Sequence, residues 1–258
     1  THEQRQSFDR DGYLVIKSAL PPRMVDRTRL AAQRLYEEGL STTGLNARGY
    51  WEMRNCLPAD DVFLELLDWP TTVPLIVQLL NHNIQMITSH LIARPPSPTG
   101  TRRDYFQSGW HRDGGTASAD LGVAQPRMFI KVAYWLTDLT EAGRGAIRVL
   151  PESNDTRIQA PTEGDEEHLE LRAEPGDAVL FENRTLHAVG ANFSDVTRLS
   201  LFYGYGYRWL RPMDYITQPR ELLDRCDPIR RQLLGDCTDA RYSQLRERGP
   251  VEAPQDPS

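Results

Sequence analysis

Cysteine is scarce in this chain. Cys56, Cys226 and Cys237 are odd in number and unevenly spaced, which argues against a disulfide framework and fits a reducing compartment. Lysine is scarcer still: Lys17 and Lys131 alone interrupt a basic complement that is otherwise arginine. That bias reads as coding composition, so no single Arg counts as functional on its own. Positive charge is not in excess, the formal net charge being -6, and nothing recommends nucleic acid or an anionic membrane as a partner. No apolar run reaches the length of a membrane span, and the N-terminus lacks a basic segment followed by an apolar one, so cytoplasm is the expected location. No internal repeat marks a solenoid or propeller. What is left is an ordinary soluble composition over 258 residues, enough for one large domain or two small ones.

The stretch that carries chemistry is Gly109-Trp110-His111-Arg112-Asp113-Gly114-Gly115, answered later by Leu186-His187-Ala188-Val189 and by Arg198. On an extended strand the side chains of His111 and Asp113 leave the same face and can grip one ion. The best candidate for a third ligand is His187, which follows a strand-like run, Asp177 to Phe181, opened by the turn signal Pro175-Gly176. Two imidazoles and one carboxylate form the facial triad that leaves three positions on Fe(II) open for a chelating co-substrate and oxygen. A His-x-Asp pair alone is weak, because short polar pairs are frequent in loops. Its company makes it specific: Arg198 and Ser200 share a strand face in the run Thr197 to Tyr203, where a guanidinium fork and a hydroxyl can hold one carboxylate.

Residues 2 to 10 read as a short polar helix ended by Gly12, before a strand at Tyr13 to Ile16. Pro21-Pro22 opens a second helix, whose apolar positions Met24, Leu30, Ala31 and Leu35 recur at helical spacing until Gly39 closes it. Ser41 to Asn55 reads as a loop, either a lid over a site or plain surface. Two short helices follow at 60–68 and 73–80. Strands are expected at 84–92, 128–136, 146–150, 177–181 and 197–203. His82 falls in a turn, and His90 reads as a packed strand residue. Arg148 points opposite to Ile147 and Val149; if its face is the interior, a lone Arg there is costly unless it binds an anion, which makes it a candidate for a substrate carboxylate. The loops 97–108 and 116–126 are natural seats of specificity. The acidic stretch 154–170, with His168, reads as a surface excursion. Aromatics from Tyr203 to Trp209 either wall a cavity or close the barrel. A helical pattern returns over 219–248, before a Pro-rich tail. Pattern alone gives a β-rich fold with flanking helices.

This set of residues resembles the phytanoyl-CoA dioxygenase-like family of Fe(II)/2-oxoglutarate oxygenases. The likeness begins at Phe8 to Ile16, passes Ser89 to Pro96, Trp110 to Asp113, Ala146 to Ser153 and Pro175 to Phe181, and reaches His187 and Arg198. It implies one domain, mainly β with flanking α-helices: a double-stranded β-helix (jelly roll, cupin-like) over 84–210, a mostly helical N-terminal layer over 1–83, and a C-terminal helical extension and tail over 211–258. It also implies that His111, Asp113 and His187 ligate iron, while Arg198, helped by Ser200, anchors the far carboxylate of 2-oxoglutarate. In relatives the basic residue before a Pro-Pro pair tends to face the active site, so Arg94 is a candidate for gripping an acidic substrate or the co-substrate, or else a solvated strand-end charge. Tyr134 aligns with an aromatic near 2-oxoglutarate, or packs in the core. There are two departures: Arg112 stands where Gln is common, and Pro151-Glu152-Ser153-Asn154 replaces Pro-Gly-Ser-His. Asp113 favours oxygen transfer, desaturation or ring formation over halogenation, which needs that position free of carboxylate.

The expected activity is therefore oxidation by Fe(II), 2-oxoglutarate and O2, hydroxylation by default, of an unactivated C–H bond in a small molecule. A secondary-metabolite intermediate bearing an acidic group fits, and so does an acyl group linked to CoA or a carrier. A divalent-metal hydrolase or isomerase on a cupin-like barrel would use the same ligands but have no need of Arg198. A non-catalytic binding relative would be expected to have lost a ligand. The sequence carries no signature of an oligomeric state.

Overall fold

Alternation along the long strands decides the architecture. The computed structural model describes residues 1–102, 109–114, 125–161 and 168–236. Strands β1 (Tyr13–Ile16), β2 (Trp51–Arg54), β3 (Ile84–Arg94), β4 (Phe129–Trp135), β7 (Ala178–Glu182) and β9 (Arg198–Tyr207) form an antiparallel six-stranded sheet in the order β1-β7-β4-β9-β3-β2. A three-stranded sheet, β6-β5-β8, is built from β5 (Ile147–Val149), β6 (Leu169–Glu170) and β8 (His187–Val189).

The central strands of the larger sheet are buried on both faces and divide their side chains between two cores. Ile130, Val132 and Tyr134 of β4, with Leu199, Leu201, Tyr203 and Tyr205 of β9, enter the larger core. Ala133, Trp135 and Phe202 enter the smaller one, together with Ile147, Val149 and Val189 of the other sheet. The two sheets therefore face each other across the smaller core. A register shift between Met86 and Thr88 exchanges the faces of β3: Ile84 and Met86 share the larger core with Leu91 and Ala93, while Ile92 belongs to the smaller.

Helices complete the larger core. Helix α1 (His2–Asp11) begins with a capping box between Thr1 and Gln4 and ends at Gly12, whose φ of 79° suits glycine. Helix α2 (Pro22–Thr42) contributes Met24, Val25, Ala32 and Leu35 to that core. Helices α3 (Asp61–Glu65), α4 (Val73–Leu80), α5 (Arg220–Leu223) and α6 (Pro228–Leu233) contribute Val62, Ile76, Leu222 and Leu233. Among the described residues no helix is long and apolar enough to cross a membrane.

Three expectations need correction. Gly39 does not close α2, which continues to Thr42; Trp51 lies across it, so that a Cβ at this position would meet the indole Nε1 at 2.1 Å. The loop expected over 41–55 is shorter, because Trp51 to Arg54 form β2 and pair with β3. The helical pattern from 219 splits into two short helices at Pro228, which sits in the first turn of α6. The rest of that expected helix and the tail, from 237 onward, lie outside the described residues, as do 103–108, 115–124 and 162–167 of the loops read above.

Candidate metal centre and its cavity

His111 sits just outside the smaller sheet and is tied to β8 by a two-way backbone bridge, His111 N to His187 O and His187 N to His111 O, both 3.0 Å. This bridge sets the two imidazoles side by side, centroids 4.3 Å apart. Each Nδ1 faces a backbone carbonyl, that of Gly109 for His111 and that of Thr185 for His187, at 3.0 Å in both cases. A carbonyl only accepts, so each Nδ1 carries the ring proton and each Nε2 keeps a lone pair for a metal. Asp113 completes the group: one ligand atom from each of His111, Asp113 and His187 lies within 4.8 Å of the others. Asp113 Oδ2 is buried without a hydrogen-bond partner among the described residues and stands 4.0 Å from His187 Nε2. A buried, unpartnered carboxylate oxygen facing two lone-pair nitrogens fits a divalent ion, and two imidazoles with one carboxylate suit Fe(II).

The other oxygen, Asp113 Oδ1, accepts from Lys131 Nζ at 2.6 Å. Burial works to raise the Asp113 pKa, but Lys131, with His187 and His111, outweighs it and holds the carboxyl at about 2. Burial pushes His187 the other way, down to about 4, against the pull of Asp113. At neutral pH His187 is thus neutral and Asp113 ionised, the forms that ligate.

Backbone around the triad is pinned by Arg112 and by Ser153 and Asn154 of the second departing segment. Arg112 turns away from the site and donates to the carbonyls of Arg184 (2.7 Å), Ser153 (2.9 Å) and Ile158 (2.7 Å). Ser153 Oγ accepts from Leu186 N at 2.8 Å, and Asn154 Nδ2 donates to the carbonyl of Asp9 at 2.9 Å. Arg112 and Ser153 thus hold Arg184 and Leu186, which flank His187, while Asn154 ties the segment to α1.

A cavity of about 360 Å³ opens on the triad, a size suited to a small molecule. Among the described residues its wall includes Tyr50, Thr88, His90, Arg94, Lys131 and Phe202 along with the three ligands. Arg94 is a register partner of Arg198, and its guanidinium lies 4.3 Å from the Tyr50 ring centroid. Arg198 is buried beside the wall at 1 % exposure. It donates to the carbonyl of Gly145 (2.6 Å) and to Ser200 Oγ (3.1 Å), and lies over the Trp135 ring. No carboxylate among the described residues pairs with Arg198. Burial, and then the charge of Arg94, push its pKa well below the ordinary value. A guanidinium keeps its proton under such pressure, so an anion is what relieves it.

Two sequence candidates lie elsewhere. Tyr134 points into the larger core, its hydroxyl 2.7 Å from Thr72 Oγ1 and its ring edge-on to Tyr203. The alternation of β4 puts Lys131 and Ala133, not Tyr134, toward the site. Arg148 points away from the cavity, which Ile147 lines; its Nη1 is 2.8 Å from His168 Nε2 and its Nη2 3.5 Å from Glu170. Glu170 therefore offsets the charge that was expected to meet a substrate, and the His168 imidazole accepts a hydrogen bond from the guanidinium. Ser200 supports Arg198 directly. His90 is a packed strand residue, as expected, but it also lines the cavity with Nε2 2.5 Å from Glu52.

Lys131 is not among the sequence candidates. Its signal was an isolated lysine in an arginine chain, set in a run of β-formers where a charge needs a partner. Glu52 was hidden by the loop reading of its segment.

A family model described as phytanoyl-CoA dioxygenase (PhyH) matches residues 8–200. The epimerase SnoN, solved with Fe3+, alpha ketoglutarate and nogalamycin RO, is similar in structure at 18% identity and a TM-score of 0.62, covering 88% of this chain and 92% of that one. HygX from Streptomyces hygroscopicus, solved with nickel, 2-oxoglutarate and hygromycin B, is similar at 17% identity and a TM-score of 0.65, covering 82% and 89%. The carbocyclase SnoK from nogalamycin biosynthesis is similar at 17% identity and a TM-score of 0.59, covering 80% and 83%. At these identities the likeness establishes a shared fold. No curated protein matches the sequence.

Proposed function

The chain belongs to the phytanoyl-CoA dioxygenase family, an iron- and 2-oxoglutarate-dependent enzyme family, and from that premise we propose that it oxidises an unactivated C–H bond of a small molecule, with hydroxylation as the outcome. The observation that carries this reading is the pairing of a three-ligand centre with a buried guanidinium, Arg198, that has no acid partner among the described residues. A metal hydrolase or isomerase would use the first and leave the second unexplained.

When bound, Fe(II) supplies oxygen activation coupled to decarboxylation of 2-oxoglutarate to succinate. His111, Asp113 and His187 would hold that ion. Arg198, steadied by Ser200 and Gly145, takes the far carboxylate of 2-oxoglutarate, and Arg94 adds a second cation beside it. With Arg94 committed to the co-substrate and Arg148 turned away, neither speaks for an acidic substrate. The substrate meets the cavity wall at Thr88, His90 and Phe202. SnoN and SnoK, by their names, carry out epimerisation and ring closure on this fold; product mass separates those outcomes from hydroxylation, which adds one oxygen.

Anaerobic titration with Fe(II) and 2-oxoglutarate tests the reading. Wild type should develop the weak visible charge-transfer band of the chelate. Arg198→Ala should need at least about tenfold more 2-oxoglutarate, the scale of one hydrogen-bonded charge. Metal binding with no band and no affinity for 2-oxoglutarate in wild type would move a hydrolase or isomerase to the front.

A further inference from the structure

Asp113 can bind a metal with one oxygen or with two, and the difference matters: a two-oxygen carboxylate uses one of the three positions that the triad should leave open. Lys131 bears directly on that choice. It lies on the cavity-facing side of β4, between Phe129 and Ala133, with Phe181 and Gly204 as register partners. Its ammonium donates to Asp113 Oδ1 at 2.6 Å, while Asp113 Oδ2, the oxygen nearer His187 Nε2, has no hydrogen-bond partner among the described residues. Both side chains are largely buried, 19 % and 11 % exposed, so water does not compete freely for the pair.

The strand beside Lys131 carries a glycine, Gly204, against its stem. A Cβ on Gly204 would come within 2.6 Å of Thr88 Cγ2 and 3.6 Å of Lys131 Cγ. A side chain there would force Thr88, which also lines the cavity, to move, while the contact with the stem would be an ordinary one. The chain keeps its basic residues as arginine almost everywhere, yet has a lysine here; a compact ammonium occupies one oxygen, where a guanidinium fork engages both oxygens of a carboxylate.

We propose that Lys131 is a positioning residue of the metal centre, holding Asp113 Oδ1 so that Asp113 ligates through Oδ2 alone and the positions for co-substrate and oxygen stay open. The inference rests on the metal-centre reading above and adds a residue to it.

Having only two lysines makes the test direct. In protein labelled with 15N at lysine Nζ, the folded chain carries two side-chain signals, from Lys131 and Lys17, and Lys17→Arg assigns them. With Zn(II) bound, the Lys131 ammonium should remain slowly exchanging and hydrogen-bonded. In a second measurement, Lys131→Met and Lys131→Gln should bind Zn(II) about tenfold or more weakly in competition with a chromophoric chelator. Their Co(II) visible spectra should weaken in intensity, as higher coordination does, whereas loss of mere packing would leave the spectrum unchanged. The proposal is overturned if the Zn(II)-loaded wild type shows a Lys131 signal exchanging like a free lysine, or if the variants match wild type in Zn(II) affinity and Co(II) spectrum. Should either variant not fold, the wild-type resonance still decides. Failure of wild type to bind Zn(II) or Co(II) at all would instead remove the metal centre itself.

Discussion

Arg94 and Arg198 are register partners on β3 and β9, Arg94 lines the cavity, and its charge adds to the pressure on the buried Arg198 guanidinium that a bound carboxylate would offset. Arg94→Met should therefore weaken 2-oxoglutarate binding several-fold while leaving Fe(II) affinity intact, as read by titration of each. Tyr134 gives the contrast. Its hydroxyl meets Thr72 in the core on the other side of the sheet, so Tyr134→Phe should leave 2-oxoglutarate affinity unchanged and cost about 1 kcal/mol in urea unfolding. By resemblance the sequence offers Arg94 for an acidic substrate or the co-substrate, or else as a solvated strand-end charge, and Tyr134 for the co-substrate or the core. Period-two alternation was the sharper guide: in β4, Lys131 and Tyr134 differ by an odd number of positions and so leave opposite faces.

Among elements, α2 and β2 depend on one another. Trp51 opens β2 and lies against the helix where Gly39 has no side chain, and Tyr36 packs on the same indole with centroids 5.9 Å apart. Gly39→Val should destabilise the protein by about 1–3 kcal/mol through overpacking, despite the better helix propensity of the new residue, as measured by chemical unfolding. It should also disturb the cavity, since β2 carries Glu52 and Arg54 on the face of His90 and pairs with β3. A glycine inside a helical pattern resembles a helix end in sequence. Only the chain that crosses it shows that space was the reason.

At the scale of the whole molecule, the triad is where the two sheets are tied. His187 comes from the smaller sheet, His111 is bridged to it, and Asp113 is held by Lys131 of the larger. A divalent ion that binds only the folded form should stabilise it by about 2.7 kcal/mol at a hundredfold excess over its Kd. For a chain of this size that is roughly a 5–10 °C rise in Tm. Scanning calorimetry with Zn(II) checks this, and His187→Ala should lose most of the rise. Read alone, the sequence determined the ligand types, most strand positions and the family, because these depend on local spacing and on a short string of motifs. It also marked His111, Asp113 and His187, which the fold brings within 4.8 Å of one another. Tertiary structure alone decided which face of each strand meets the cavity, that Arg148 is spent on Glu170 and His168, and that Lys131 reaches Asp113. Those outcomes depend on register between strands far apart in the chain, and on a bulge in β3, which local pattern does not encode.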